Sequence, residues 1–190
     1  MQEIKKMYSK SHPGIVLRTI PGHFVTPSSH INYYLDMTML KARQSEALEV
    51  AKAMAESYVA STVVDTIVCM EGCEVIGAYL AEHLTRAGVL SMNAHKTIYI
   101  TAPEINGAGQ IIFRENYKHM IKNKHVLLLL AAATTGNTMS RAIDTIVYYG
   151  GSISGISAIF SAVNKIHNIP INALFTMTDI ADYKMSAPEQ

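Results

Sequence analysis

The turn Thr134-Thr135-Gly136-Asn137-Thr138 holds the residue types best suited to chemistry in this chain. Before it runs Val126 to Ala133, apolar without alternation. After it, Met139, Ala142, Ile143, Ile146 and Val147 recur at helical spacing. This pattern predicts a central strand covered on both faces, a tight turn, and a helix with one apolar side that Gly150 and Gly151 stop. The unpaired N–H groups of the first helical turn, the positive end of the helix dipole and the hydroxyls of Thr134, Thr135 and Thr138 would then converge. Such a turn can cradle a phosphate. The same residues also make an ordinary N-cap, and spacing alone leaves both readings open.

A second candidate turn is Met70-Glu71-Gly72-Cys73-Glu74, between an apolar β-branched run and a helical pattern. Its carboxylates suit the first turn of a helix, and next to a phosphorylated ligand they would need a divalent cation between them and the anion. Cys69 and Cys73 are the only cysteines. No second Cys/His pair at zinc-like spacing accompanies them, so two reduced thiols are expected and no metal cluster is predicted. The eight histidines are scattered, without a His-x-x-x-His or a Ser/His/Asp constellation. No Gly-Lys-Ser/Thr occurs, and Gly150-Gly151 lacks the spacing of a dinucleotide-binding turn.

The elements that must position these turns alternate between strand and helix. Met1 to Ser11 suggests a short helix or a frayed end, and Gly22 to Asp36 a hairpin turning near Pro27 to His30. A helix is predicted from Lys41 to Tyr58, a strand from Val63 to Cys69, and a helix from Val75 to about Ala87 ended by Gly88. Thr97 to Ile100 and Ile111 to Phe113 are strands around the loop Thr101 to Gln110. Arg114, Lys118, Lys122 and Lys124 mark the solvated face of a helix leading to the central strand. Ser152 to Phe160 and Asn172 to Phe175 are further strands, Thr178 to Tyr183 a helical turn, and Ser186 to Gln190 a polar tail. The expected fold is α/β, with a mostly parallel central sheet flanked by helices. At 190 residues and 49% hydrophobic content, one domain is expected over 1–190, with a hood at 1–40, a core at 41–183 and a tail at 184–190. A formal charge of +1 offers no broad field for nucleic acid or an anionic membrane. The longest apolar run is too short to span a bilayer, so a cytoplasmic protein is expected.

A strand followed by Thr-Thr-Gly-x-Thr and a helix resembles the ribose-5-phosphate loop of the type I phosphoribosyltransferases. Gly22, Phe24, Ser28, Tyr33, Tyr34 and Asp36 resemble the amino-terminal signature of the orotate enzymes in that family. The resemblance implies that Thr134 to Thr138 hold phosphate and that the turn at Glu71, Gly72 and Cys73 meets pyrophosphate. It makes Tyr33 and Tyr34 candidates for base contact, against plain packing in the hood. It also implies transfer of ribose 5-phosphate between a diphosphorylated sugar and a nucleobase in nucleotide synthesis or salvage, with magnesium if the diphosphate binds and no cofactor otherwise. A homodimer and a phosphorylated sugar or nucleotide partner follow from the same resemblance. Three departures bear on activity. The family's paired acids, counted back from Thr134, fall on Leu130 and Ala131. The loop Thr101 to Gln110 has no Lys or Arg, where the family keeps a catalytic lysine, and no arginine follows Arg141 to meet a base carboxylate. A non-catalytic nucleotide or sugar-phosphate sensor on the same fold is therefore the alternative.

Overall fold

The computed structural model describes residues 3–27, 29–86 and 90–187. Ser28 of the hood signature, Ala87 and Gly88 of the predicted helix end, and the last three residues of the tail lie outside them. The chain begins with β1 (Lys5–Tyr8), β2 (Val16–Thr26) and β3 (Ser29–Asp36), followed by α1 (Thr38–Ala42) and α2 (Gln44–Ala55). Next come β4 (Thr66–Cys69), α3 (Glu74–Arg86), β5 (Tyr99–Thr101), the short hairpin β6 (Glu104–Ile105) and β7 (Ile111–Ile112), and a 3-10 turn (Glu115–Met120). The second half holds β8 (His125–Ala133), α4 (Asn137–Tyr148), β9 (Ser152–Ser161), β10 (Lys165–Ile166), β11 (Ile169–Thr176), a 3-10 turn (Met177–Asp179) and β12 (Met185–Ser186).

The central sheet has six strands in the order β10-β11-β9-β8-β4-β5, all parallel neighbours except the β10–β11 hairpin. Strand β8 lies inside it with β4 on one side and β9 on the other, and its residues divide between two cores. Leu127, Leu129 and Ala131 join a cluster with α2, α3 and the hood. Val126, Leu128 and Leu130 join a cluster with Met139, Ala142, Ile143 and Ile146 of α4. This is why the run is continuously apolar: either parity of side chain meets a buried layer.

The expected mostly parallel α/β sheet with a small hood is the observed architecture, with differences in detail. Residues 5–8, expected as helix or frayed end, form a strand paired with β2 from Lys5↔Thr19 to Tyr8↔Val16. The helix expected over Lys41 to Tyr58 begins earlier and is broken at Arg43, whose ψ of 118° interrupts it. The basic stretch after Arg114 is a 3-10 turn rather than a helix. The tail is not free at its start, since Met185 and Ser186 pair with Ile31 and His30 and complete the sheet β1-β2-β3-β12. The hood is thus built from both ends of the described chain.

Two polar contacts fix the sheet internally. Tyr58, buried at the end of the α2 region, donates its hydroxyl to the Ile156 carbonyl at 2.9 Å, while Ser157 Oγ and Asn172 Nδ2 lie 2.8 Å from the same oxygen. A Cβ on Gly155 would lie 2.5 Å from the Tyr58 ring, so this strand needs glycine where the ring crosses it. At the opposite end of the sheet Asp65 accepts from Lys96 Nζ through Oδ1 and from the His125 backbone N–H and ring through Oδ2, each at 2.8 Å. These contacts tie the starts of β4, β5 and β8 together.

Partial burial raises the Asp65 pKa, but the Lys96 and His125 hydrogen bonds lower it by more, leaving it well below the usual carboxylate range. A depressed acid stabilises the fold above its unfolded value of about 4, and that contribution is lost as pH falls through its folded value. Asp65→Asn is expected to be less stable than the parent at pH 7. The difference should shrink as pH falls from 5 towards 2, as followed by urea denaturation across that range.

Candidate functional site

Strand β8 ends at Ala133, and Thr134, Thr135 and Gly136 turn the chain into α4. Gly136 is the N-cap with φ of +81°, a left-handed conformation that glycine adopts without strain. No side chain caps this helix, although Thr135 Oγ1 lies 3.4 Å from the Asn137 N–H. The first-turn donors of α4 therefore remain largely available to a ligand, aided by the dipole of a 12-residue helix. The sequence-predicted residues Thr134, Thr135, Gly136 and Thr138 line a cavity of about 70 Å³ with Glu71, Leu130, Ala132, Ala133 and Met139. Asn137 is exposed at its edge. This volume suits a small anion; sites that enclose a whole small molecule run to roughly 300 Å³ and above. A larger hollow of about 630 Å³ between α4 and β7, lined by Arg141, Asp144, Tyr148 and Tyr149 among others, shares no residue with the cradle.

The Glu71 turn arrives beside the cradle for a reason set by strand lengths. Pairing between β4 and β8 stops at Cys69↔Leu129, followed by one bond from the Met70 N–H to the Leu129 carbonyl. Beyond that point, β8 amides facing β4 need another partner. Glu71 supplies it: its Oε2 accepts from the N–H groups of Ala131 and Ala132, at 3.2 Å each. Glu71 and Gly72 both have left-handed backbones, with φ of 55° and 77°, and Lys41 Nζ donates to the Glu71 carbonyl at 2.8 Å. The carboxylate is thereby carried across from the β4–α3 turn to the end of β8.

Cys73 of the same turn is buried, and its N–H is used by the Met70 carbonyl at 3.2 Å. Its thiol is pushed up to about 12, first by burial and then by the Glu71 charge, while burial also raises Cys69. Both are free and buried, and the raised pKa disfavours the thiolate that nucleophilic attack requires. Tyr33 and Tyr34 fall on opposite faces of β3. Tyr33 packs against the main core, while Tyr34 is about half exposed and lies 5.8 Å from Phe24, ring to ring.

The positions counted as the family's acidic pair, Leu130 and Ala131, are buried in two different cores. The β6–β7 hairpin divides the loop expected from Thr101 to Gln110. The next cation in sequence, Arg114, is ion-paired with Glu104, while Arg141 of α4 reaches the turn of the hairpin, its Nη2 lying 3.6 Å from where a Cβ on Gly109 would stand. Lys118 is paired with Glu115 and lies near the Tyr149 ring. Residues 163–167 come over the cradle from the far side. A Cβ on Gly136 would lie 3.1 Å from Ile166 Cδ1, and His167 Nε2 lies 2.7 Å from Ser140 Oγ in the first turn of α4. His167, which sequence reasoning passed over, could have been flagged by the His167-Asn168 pair, whose positive φ values of 49° and 62° turn β10 into β11. Among the described residues no group of three or more His, Cys, Asp or Glu could hold a metal ion, and no helix is long and apolar enough to cross a membrane.

No family model matches the chain, and no curated protein matches it in sequence. Solved structures do match. Orotate phosphoribosyltransferase of Mycobacterium tuberculosis H37Rv, in complex with inorganic phosphate, is 14% identical over 78% of this chain and 80% of its own, with a TM-score of 0.55. Orotate phosphoribosyltransferase from Aeropyrum pernix is 17% identical over 84% of this chain and 88% of its own, with a TM-score of 0.56. Adenine phosphoribosyltransferase from Thermoanaerobacter pseudethanolicus is 14% identical over 92% of this chain and 95% of its own, with a TM-score of 0.58. The chain has the type I phosphoribosyltransferase fold. At these identities the likeness establishes the fold, whereas activity must be argued from the residues of the site.

Because Leu130 is fully buried against Val68, Met139 and their neighbours, restoring an acid there places a charge in an apolar layer. Leu130→Glu is expected to destabilise the protein by about 3–5 kcal/mol, the range for an unpaired buried charge, without gaining sugar affinity. Urea denaturation and calorimetry of the same variant check both halves.

Proposed function

We propose that this protein binds a ligand containing ribose 5-phosphate, such as a sugar phosphate or nucleotide, with the phosphate on the turn from Thr134 to Thr138. The observation that carries this reading is the small cavity at the mouth of α4, where a glycine N-cap without a side-chain cap leaves helix donors to an anion. Inorganic phosphate and phosphoribosyl diphosphate are bound by one protein of the same fold, the orotate phosphoribosyltransferase of Mycobacterium tuberculosis H37Rv, which agrees with such a ligand here. The hydrocarbon at Leu130 and Ala131 favours a sensor or regulator over an orotate-type transferase. Transfer of a phosphoribosyl group requires stabilisation of departing pyrophosphate. Arg114 and Lys118, which follow the β6–β7 hairpin, are ion-paired with Glu104 and Glu115, and the guanidinium of Arg141 stands beside the hairpin turn at Gly109.

Transferase activity is the second reading, favoured by the Glu71 turn lying beside the cradle as a pyrophosphate turn would. Magnesium would enter with the diphosphate. Such a cation is held by one or two carboxylates together with substrate phosphates, and Glu71 is the residue that could contribute one. We further propose a homodimer located in the cytoplasm.

Calorimetry with phosphoribosyl diphosphate, ribose 5-phosphate and nucleoside monophosphates, with and without magnesium, tests this proposal. Monophosphate binding without turnover is expected. Magnesium-dependent binding of the diphosphate with base-dependent pyrophosphate release would establish the transferase instead. In Gly136→Ala the turn escapes about 1–2 kcal/mol of left-handed strain by leaving its geometry, so phosphate affinity should fall roughly five- to thirtyfold. Unchanged affinity would contradict the cradle.

A further inference from the structure

We propose that Glu71 holds the sugar of the ligand, its free carboxylate oxygen accepting hydrogen bonds from the hydroxyls of a ribose whose phosphate lies on Thr134 to Thr138. This deepens the binding reading above and rests on it. The starting point is that β8 itself offers no acceptor side chain at its end: Leu130 and Ala131 are buried, and Ala132 and Ala133 are hydrocarbon. Among the described residues, the one carboxylate lining the cradle reaches it from another loop.

The carboxylate is also held in place. Oε2 is occupied by the N–H groups of Ala131 and Ala132, while Oε1 has no protein partner among the described residues. An ionised carboxylate has about four acceptor sites, and two amides leave the remainder for donors. The backbone of its turn is fixed from the opposite side by Lys41, so the group is pre-positioned and little further ordering is needed when a ligand arrives.

Beyond accepting from the two β8 amides, a carboxylate on the wall of an anion cradle discriminates between ligands. It repels a bare phosphate and would repel a second phosphate group more strongly. It attracts a ligand whose phosphate end carries hydroxyl donors alongside. O–H groups bonded to a carboxylate are among the stronger hydrogen bonds. Ribose 5-phosphate and 5′-nucleotides combine one phosphate with neighbouring hydroxyls. Capping the two β8 amides needs only an acceptor oxygen, which a glutamine amide also supplies, so the cap and the charge can be separated experimentally.

The test compares inorganic phosphate, ribose 5-phosphate and 2-deoxyribose 5-phosphate by calorimetry, in magnesium-free buffer with chelator and again with magnesium. The parent and Glu71→Gln are both measured, with thermal melting to check that the variant remains folded. The parent is expected to bind ribose 5-phosphate more tightly than either 2-deoxyribose 5-phosphate or phosphate. In Glu71→Gln, affinity for ribose 5-phosphate should fall at least about tenfold, while phosphate affinity stays level or rises.

Equal changes for ribose 5-phosphate and phosphate in the variant would overturn the assignment and reduce Glu71 to a source of repulsion. A preference for ribose 5-phosphate that appears only with magnesium would also overturn it, since the carboxylate would then serve the metal. Failure of the parent to bind any of the three ligands would instead sink the cradle reading, a result distinct from the other two. Should Glu71→Gln melt far below the parent, Glu71→Asp provides the second variant. It keeps the charge on a shorter reach, so parental discrimination between ribose 5-phosphate and phosphate in Glu71→Asp would also count against the proposal.

Discussion

The exclusion of water from both faces of β8 is the constraint on which the rest of this structure depends. Leu127 and Leu129 are buried on one side, Leu128 and Leu130 on the other, all without measurable exposure. A buried leucine contributes about 1.5–3 kcal/mol relative to an exposed one, so this strand alone accounts for a substantial part of the driving force. It also commits the sheet to layers on both sides, with α2 and α3 against one and α4 against the other. The loops at the carboxyl ends of β4 and β8, with the segment after β9, are thereby brought to one rim, where ligands of open α/β sheets bind.

The same constraint removes charge from the centre of that rim. A strand whose side chains are hydrocarbon from Val126 to Ala133 cannot supply an acid at its carboxyl end, so polar chemistry there has to be imported from neighbouring loops. The Glu71 turn does this because β4 is shorter than β8. Strand pairing ends four residues before Ala133, and the amides left over draw the carboxylate across. That negative charge also reaches Cys73, helping burial to keep its thiol protonated. The turn therefore presents the Glu71 carboxylate to the cradle and keeps the sulfur of Cys73 buried.

Elements with strong periodicity were legible in the sequence. The β8 run and the apolar face of α4 are set by local pattern, and the turn lies between them as that pattern predicts, although the helix takes in Asn137 and Thr138 and leaves only Thr134, Thr135 and Gly136 to the turn. Elements set by distant partners were not legible. Strand β1 is mostly exposed, so no apolar alternation announces it, and it exists through pairing with β2. The break at Arg43 and the hairpin from β6 to β7 leave similarly faint traces. Of the candidate site, the turn between β8 and α4 could be read directly. The destination of the Glu71 side chain could not, because it depends on where an adjacent strand stops. His167 reaches Ser140 only once β10 and β11 have folded back on each other.

Strand β12 gives the hood an order of assembly. Residues 5–36 leave a ribosome first, yet the outer edge of β3 at His30 and Ile31 gains its neighbour only when Met185 and Ser186 arrive. During most of synthesis, a row of backbone donors and acceptors on that edge lacks its final partner, a surface on which other chains can add. The closing hydrogen bonds, including Asn32 to the backbones of Asp182 and Lys184, act as a late clasp. They shield the nascent edge only after the sheet beneath it has been translated.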